Sequence, residues 1–250
     1  MARITREKFK TYEDVFDMFT EKVLAKLVSQ GHFEELESPV SIGKEANVFI
    51  GKHDENPRIV KIYRLETCDF NKMYQYIRTD PRYAYLSGHR RKVIFAWTQR
   101  EYRNLLKARM AGARVPTPFA FRSNVLLEEF IGSVEEQDNS LKYKPAPKLK
   151  DVDLDTESAE KMLSGVLEQM RILAKNGMVH GDLSAFNILV RNNLPVIIDM
   201  SQSTTVDDPQ FEELLLRDCR NVVSFFSRAG IEVPEEESLF KELLALSRSS

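Results

Sequence analysis

The sequence predicts an α+β fold, with an antiparallel sheet in its first half and mainly helices in its second half. Short runs rich in β-branched and aromatic residues, separated by turn-forming residues, occur between residues 40 and 64 and again between 119 and 130. Longer stretches with apolar residues at helical spacing dominate after residue 155. With 250 residues, 42% of them hydrophobic, the chain can build a substantial core as one large domain or two lobes.

The elements are predicted in chain order from these patterns. An amphipathic helix at 12–28 precedes three strands at 40–42, 47–52 and 58–64, a helix around 96–106, and two strands at 119–122 and 124–130. The segment 67–93 is predicted to be a long loop, either functional or disordered, and 132–155, with its prolines and charges, a linker between lobes. The rest of the chain is predicted to form helices at 159–174, 211–229 and 238–246, and a hairpin that pairs 188–190 with 196–198.

Composition excludes several classes of protein. No apolar run approaches the roughly 20 residues that span a bilayer, and the first residues lack a signal-peptide core, so we expect a soluble, cytoplasmic protein. Cys68 and Cys219 are far apart and outside any ligand-like cluster, so reduced thiols are expected rather than a disulfide or a zinc site.

The net charge of −2 identifies no partner, but basic residues are concentrated in one segment. From Arg82 to Arg122 the chain carries ten basic residues and one acid, Glu101. This segment is either a solvated helix face, balanced by acidic segments elsewhere, or a surface that binds phosphates such as those of RNA. The sequence leaves both interpretations open, because few aromatic residues lie among the charges to stack on bases.

Three oxygen-bearing side chains lie in the stretch 178–200. Asp182 is followed five positions later by Asn187, and Asp199 ends an apolar run. The predicted hairpin returns Asp199 close to the other two, and a small set of hard oxygen ligands suits Mg²⁺, which takes the rest of its shell from water and phosphates. The alternative is a polar loop with a capping Asp and a turn Asn. The combination of the three favours a site for a metal ion and phosphate.

A glycine turn and two candidate partners of an ion pair lie upstream. Gly43, in the turn 41–48, allows the backbone to approach a phosphate. Lys61 lies in an apolar strand, and Glu101 is the only acid between Asp80 and Glu128, in a strongly helical stretch. A lysine that holds nucleotide phosphates needs such an acid to orient it. The alternatives are that Gly43 lies in an ordinary turn, that Lys61 lies on an exposed face of its strand, and that Glu101 pairs with neighbouring basic residues on its own helix.

Taken together, these residues resemble the protein-kinase-like superfamily. The resemblance narrows to the RIO kinases, and within them to the Rio1 subfamily, through three motifs: SIGKEANVF at 41–49, HGDLSAFN at 180–187 and IDMSQS at 198–203. It covers roughly residues 10–230.

This resemblance implies a two-lobed protein-kinase-like fold trimmed of the peptide-binding subdomains. It also implies an N-terminal helical extension at 1–38, an N-lobe at 39–131 with an insertion at 67–93, and a C-lobe at 132–250. Asp199-Met200-Ser201 replaces the Asp-Phe-Gly of ordinary protein kinases, and no Ala-Pro-Glu follows it.

The resemblance also implies a role for each site residue. Lys61, paired with Glu101, would hold phosphates, Asp182 would be the catalytic aspartate, and Asn187 and Asp199 would bind Mg²⁺ or Mn²⁺. The backbone of Glu129 and Ile131 would contact adenine. The glycine turn would cover the triphosphate with Ser41, Ile42, Gly43, Lys44, Glu45 and Val48.

The implied function is that of an ATP-dependent atypical serine/threonine protein kinase with autophosphorylation, an ATPase, or both, acting on the pre-ribosomal small subunit and its rRNA. ATP hydrolysis in the family is implied to pass through a phospho-aspartate, here on Asp199. Two alternatives remain: a nucleotide-switched factor that binds rRNA or the pre-ribosome, and a small-molecule phosphotransferase of the aminoglycoside or choline kinase kind.

Overall fold

The computed structural model describes residues 16–54, 56–83, 86, 89–137 and 140–249. The chain divides into two compact units that are discontinuous in sequence. The first comprises Met1–Tyr102, Thr117–Phe130 and Val134–Pro145, and the second comprises Arg103–Pro116, Ile131–Ser133 and Ala146–Ser250. The predicted lobe ranges were contiguous, whereas each of these units is assembled from three segments.

An antiparallel sheet of five strands forms the first unit. The strands are β1 (Glu35–Ile42), β2 (Ala46–Lys52), β3 (Arg58–Tyr63), β4 (Pro118–Arg122) and β5 (Val125–Glu129), in the spatial order β1-β2-β3-β5-β4. All four neighbouring pairs are antiparallel. The predicted strands are confirmed, with β1 beginning five residues earlier than the predicted start at residue 40.

Helix α1 (Met18–Ser29) covers one face of this sheet. Leu24 and Leu27 pack in one apolar core with Phe49, Val60 and Leu127 of the strands, and all are almost completely buried. The helix begins at Met18 rather than at residue 12, because Asp17 is extended and its side chain accepts hydrogen bonds from the first-turn N–H groups. Residues 12–15 of the predicted helix lie outside the described residues.

The prediction of a long loop at 67–93 is wrong, because the segment contains helix α2 (Phe70–Thr79), and α3 (Arg90–Met110) begins before its end. Met73, Tyr76 and Ile77 form a buried stripe at helical spacing, but the polar residues around them obscure it in the sequence. The Asp69 side chain caps α2 at the N–H of Lys72.

The prediction of a linker at 132–155 is also wrong. It contains a hairpin of β6 (Gly132–Gln137) and β7 (Ser140–Pro145), followed by a short 3₁₀ turn at Leu149–Asp151. Residues 133–136 of β6 are exposed, so its side chains lack the apolar alternation that identifies a half-buried strand.

The second unit is mainly helical. Helices α4 (Thr156–Lys175) and α5 (Phe211–Arg228) both pack against α6 (Glu236–Ser247), which confirms the three predicted helices. The short strands are β8 (Met178–Val179), β9 (Ile188–Arg191), β10 (Leu194–Ile197) and β11 (Thr204–Thr205). Strands β9 and β10 form the predicted hairpin, and β11 pairs with β8. No helix within the described ranges is long and apolar enough to cross a membrane.

Candidate active site

A buried ion pair lies at the centre of the first unit. Lys61 Nζ on β3 donates a hydrogen bond of 2.7 Å to Glu101 Oε1 on α3. The side chain of Lys61 is 10% exposed and that of Glu101 is fully buried. The Tyr63 hydroxyl also donates to Glu101, through the carboxylate's second oxygen. Glu101 is therefore not a solvated partner of neighbouring bases on its own helix, because both of its oxygens accept from strand β3.

The glycine turn connects β1 to β2. Ser41 lies opposite Val48, and the Gly43 N–H donates to the Ala46 carbonyl at 3.1 Å. A Cβ atom at Gly43 would lie 3.0 Å from that same carbonyl oxygen, so a larger residue would crowd the turn. Thr67 and Arg64 hold the turn from outside, because Thr67 Oγ1 donates to the Lys44 carbonyl and the Arg64 N–H to the Glu45 carbonyl.

The two residues predicted to meet adenine lie at and after the end of β5. The Glu129 side chain accepts hydrogen bonds from the N–H and the hydroxyl of Thr117, at 3.0 and 2.7 Å. The Glu129 N–H donates to the Thr117 carbonyl, and the Ile131 carbonyl accepts from the Ala146 N–H. These bonds fix the backbone at both positions.

In the second unit, residues 180–187 form a tightly bonded loop around Asp182. The Asp182 N–H donates to His180 Nδ1 at 3.2 Å, and His180 Nε2 lies 3.0 Å from the Ile198 carbonyl. Since Nδ1 accepts a hydrogen bond, the ring proton of a neutral His180 lies on Nε2 and is donated to Ile198. Gly181 has φ +82°, and a Cβ there would lie 2.8 Å from the Gln202 carbonyl oxygen, so only glycine fits without strain.

The structure brings together the three oxygen-bearing residues of this stretch. Asn187 Nδ2 donates to the Asp182 carbonyl at 2.9 Å and lies 3.5 Å from Asp182 Oδ2. The Ile198 N–H donates to the Asn187 carbonyl, which places Asp199 one residue beyond Asn187's partner in the hairpin. Asp199 adopts a left-handed conformation with φ 62° and ψ 66°, and Ser201 Oγ donates to its Oδ1 at 2.7 Å. Backbone conformations of this kind in residues other than glycine are uncommon and cluster at functional sites.

The donor set of Asn187 and Asp199 fits a magnesium ion. Both offer hard oxygen atoms, and the amide nitrogen of Asn187 is directed at the Asp182 carbonyl, which leaves its Oδ1 facing away from that group. Two protein ligands are typical of a Mg²⁺ site whose other ligands are phosphates and water.

Four polar residues to which the sequence analysis assigned no role support this loop or the segment that follows Asp199. Asp218 on α5 is 1% exposed and accepts hydrogen bonds of 2.8 Å from the N–H groups of Gly181 and Leu183. Burial raises the pKa of the Asp218 carboxyl, although His180 and these two N–H groups oppose the shift. Asn104 on α3 donates to the carbonyls of two residues after Asp199. The other two missed residues are Gln202 and Arg217.

Many arginines of the basic segment are used within the fold. Arg82 bonds to Asp80, and Arg100, completely buried, donates to the Tyr76 carbonyl. Arg90 donates to the carbonyls of three residues that precede α2. Arg109 and Arg114 donate to backbone carbonyls of the second unit. The five arginines therefore bond within the fold, a use that neither the solvated helix face nor the phosphate-binding surface considered for this segment included.

Three comparisons with known proteins identify the family and the fold of this chain. A family model of the RIO domain matches residues 47–239. The RIO-type serine/threonine-protein kinase Rio1 of Haloferax volcanii is 39% identical over 237 residues, which cover 94% of this chain and 78% of the relative. The Rio1 kinase of Methanocaldococcus jannaschii is 41% identical, with coverage of 90% and 74%, and human RIO1 is 34% identical, with coverage of 92% and 40%.

Among solved structures, the chain is similar to the Rio2 kinase from Chaetomium thermophilum, in its ADP/Mg²⁺-phosphoaspartate complex. The TM-score is 0.67 at 21% identity, and the alignment covers 92% of this chain and 70% of that one. The fold is thus the two-lobed, protein-kinase-like α+β fold, as predicted. The chain belongs to the RIO family, and its relatives identify it as a RIO1-type kinase.

Proposed function

We propose that this protein is an ATP- and Mg²⁺-dependent serine/threonine kinase, with an associated ATPase activity, that acts on the small ribosomal subunit during its maturation. Lys61, oriented by Glu101, holds the phosphates, and Asp182 orients or deprotonates the acceptor hydroxyl. Asn187 and Asp199 hold the metal ion, which neutralises phosphate charge during transfer.

The observation that carries the nucleotide part of this proposal is the buried Lys61–Glu101 pair. Burying two charges is costly and stabilises a fold little compared with apolar residues of similar volume. A pair of this kind in the middle of a sheet is therefore better explained by its ability to present an oriented ammonium group to phosphates than by stability. The glycine turn of residues 41–48 and the backbone of Glu129 and Ile131 complete the proposed nucleotide contacts.

Asp199 has a second proposed role, as the acceptor of the phosphoryl group. Its left-handed backbone and the hydrogen bond from Ser201 hold the carboxylate in one orientation. The Rio2 structure with this fold was solved with a phosphoaspartate. In such a step the Asp199 oxygen forms a bond to the γ-phosphorus as the bond to the β-γ bridging oxygen of ATP breaks, and ADP leaves. Water then attacks the acyl-phosphate and releases inorganic phosphate.

The kinase and ATPase steps are tested with ATP labelled at the γ-phosphate. We expect autophosphorylation and phosphate release from the wild type, and loss of both by at least a hundredfold in Lys61→Ala and Asp199→Asn proteins that circular dichroism shows to be folded at the assay temperature. Lys52→Ala and Asp151→Asn serve as controls, because these residues form exposed ion pairs. Activity retained in both site variants would refute the proposed function.

The fate of the phosphoryl group separates the two roles of Asp199. A phospho-aspartate is labile to hydroxylamine, whereas phosphoserine and phosphothreonine are stable. We expect a labelled, hydroxylamine-labile protein that is absent from the Asp199→Asn variant. If all label is hydroxylamine-stable, Asp199 acts as a metal ligand alone.

The ribosomal partner is tested separately, because it is the basis of the alternative function, a nucleotide-switched binding factor. Binding to small-subunit rRNA is measured with ATP and with ADP across a range of salt concentrations. A difference in affinity between the two nucleotides supports a switch. Equal affinity in both states removes the switch, and lack of any rRNA or particle binding refutes the ribosomal part of the proposal while leaving the kinase part intact.

A further inference from the structure

We propose that Gln202 is a positioning residue that holds the Asp182 carboxylate in one orientation, and that Arg217 determines which way the amide of Gln202 faces. This inference rests on the proposed function, since it assigns a task to residues that support Asp182. It concerns residues of the second unit only.

Gln202 ends the short 3₁₀ turn that follows Asp199, and it is 6% exposed. Its Nε2 donates a hydrogen bond of 3.0 Å to Asp182 Oδ2. Asn187 Nδ2 lies 3.5 Å from the same oxygen and is better placed for the Asp182 carbonyl, at 2.9 Å. Gln202 therefore makes the stronger of these two contacts to the carboxylate.

The orientation of the Gln202 amide follows from the chemistry of its other neighbour. Arg217 on α5 donates from NH2 to the Gly181 carbonyl and lies 3.4 Å from Gln202 Oε1. A guanidinium group has donors and no acceptor, so it requires the amide oxygen on its side. The amide nitrogen then faces Asp182, a carboxylate that only accepts. The opposite orientation would place donor against donor and acceptor against acceptor, so the two neighbours select the same orientation.

This arrangement matters for transfer because the position of the catalytic carboxylate must be fixed to within a fraction of an ångström. A displacement of about 1 Å at a reacting group can lower the rate about a hundredfold. Without the Gln202 donor, Asp182 Oδ2 keeps, among the described residues, only the longer contact of 3.5 Å with Asn187 Nδ2, so the carboxylate is held less firmly towards the acceptor hydroxyl. Neither Gln202 nor Arg217 is proposed to contact ATP, so their loss should affect the turnover number and leave nucleotide binding unchanged.

The test compares two substitutions of Gln202 and one of Arg217. Gln202→Met removes the donor at nearly constant volume. Gln202→Glu keeps an acceptor for Arg217 but turns a negatively charged oxygen towards Asp182. Arg217→Met removes the group that orients the amide. The matched controls are Gln210→Met, at the N-cap of α5, and Arg220→Met, whose side chain pairs with Glu236 on the protein surface.

We expect kcat to fall about 10- to 100-fold in Gln202→Met and further in Gln202→Glu, with the KM for ATP and the directly measured affinity for a fluorescent ATP analogue within about twofold of wild type. Arg217→Met should lower kcat less than Gln202→Glu, and should add little when combined with Gln202→Met, because both act on one orientation. Unchanged kcat, or a raised KM at normal kcat, would overturn the proposal.

A second measurement is independent of activity. Crystal structures of the wild type, Gln202→Met and Gln210→Met should show a single Asp182 rotamer in the first and third and a displaced or multiple rotamer in the second. A single, unchanged rotamer in Gln202→Met overturns the positioning role. If the wild type transfers no phosphoryl group but the rotamer still depends on Gln202, the proposed function fails while the positioning contact stands.

Discussion

The burial of the Lys61–Glu101 pair predicts how much the free energy of unfolding falls when the pair is broken. Substituting Glu101 by Leu leaves the Lys61 ammonium buried, with 10% of its side chain exposed and without its carboxylate. Breaking a buried ion pair in this way costs about 3–5 kcal/mol. For a chain of this size, that loss lowers the melting temperature by roughly 6–20 °C. If Glu101 were an exposed helix acid, as one sequence interpretation held, the loss would be about 0.3–0.5 kcal/mol.

The double variant Lys61→Met, Glu101→Leu distinguishes pairing from packing. Because it removes both charges, it should recover most of the stability that each single variant loses. The measurement is urea unfolding followed by circular dichroism, with Glu35→Leu as a control, since the Lys52–Glu35 pair is 3.5 Å long and exposed. A Glu101→Leu loss below 1 kcal/mol, or a double variant as unstable as the sum of the singles, would refute this account of the pair.

Three further predictions concern other parts of the fold. Burial opposes ionisation of Asp80, but the hydrogen bonds from Arg82 outweigh burial and lower the pKa of Asp80 below the ordinary 3.8. The ionised Asp80 therefore stabilises the fold above about pH 4, and this stabilisation is lost as the pH falls through the pKa of the folded state. Asp80→Asn should therefore flatten the fall in urea midpoint between pH 5 and pH 2; an unchanged slope would contradict this. Gly181→Ala would place a Cβ atom 2.8 Å from a backbone oxygen, so it should lower the urea midpoint of unfolding more than Gly230→Ala does. Gly230 has a similar φ of +78°, but open space surrounds its Cβ position. Equal losses would show that only the dihedral angle matters. Burial raises the pKa of the Cys219 thiol to about 12, so a thiol reagent at pH 8 should modify it only after unfolding, and rapid modification of the native protein would contradict its burial.

The candidate site residues could be identified in the sequence because they lie within short, regular elements. Asn187 and Asp199 flank a hairpin whose turn is recognisable, and the hairpin register alone brings them near each other. Lys61 stood out as a cation in an apolar strand, and Glu101 as the only acid in a basic segment. Their chemical types and order were sufficient to predict the pairing before any distance was known.

The supporting residues could not be found in this way. Asp218 contacts Gly181 from 37 positions away, and Gln202 contacts Asp182 across 20 positions, with no local pattern to relate them. Helix α2 and the hairpin β6–β7 were missed for a related reason: their apolar stripes are short or absent, and charged residues dominate both segments. A pattern of residue types shows which side chains are close in sequence, but it does not show which groups surround them in the folded protein.

Local periodicity and residue type were enough to predict the α+β class, the order of strands and helices and the candidate site residues. Which charged groups bond within the fold depends on how distant segments pack, and it becomes visible only in the folded protein. Arg100 looked like part of a basic surface and is completely buried against the Tyr76 carbonyl, while Gln202 looked like an ordinary polar residue and bonds to the Asp182 carboxylate. Burial and hydrogen-bond partners arise only when distant segments pack together, and they determine what a polar side chain can do.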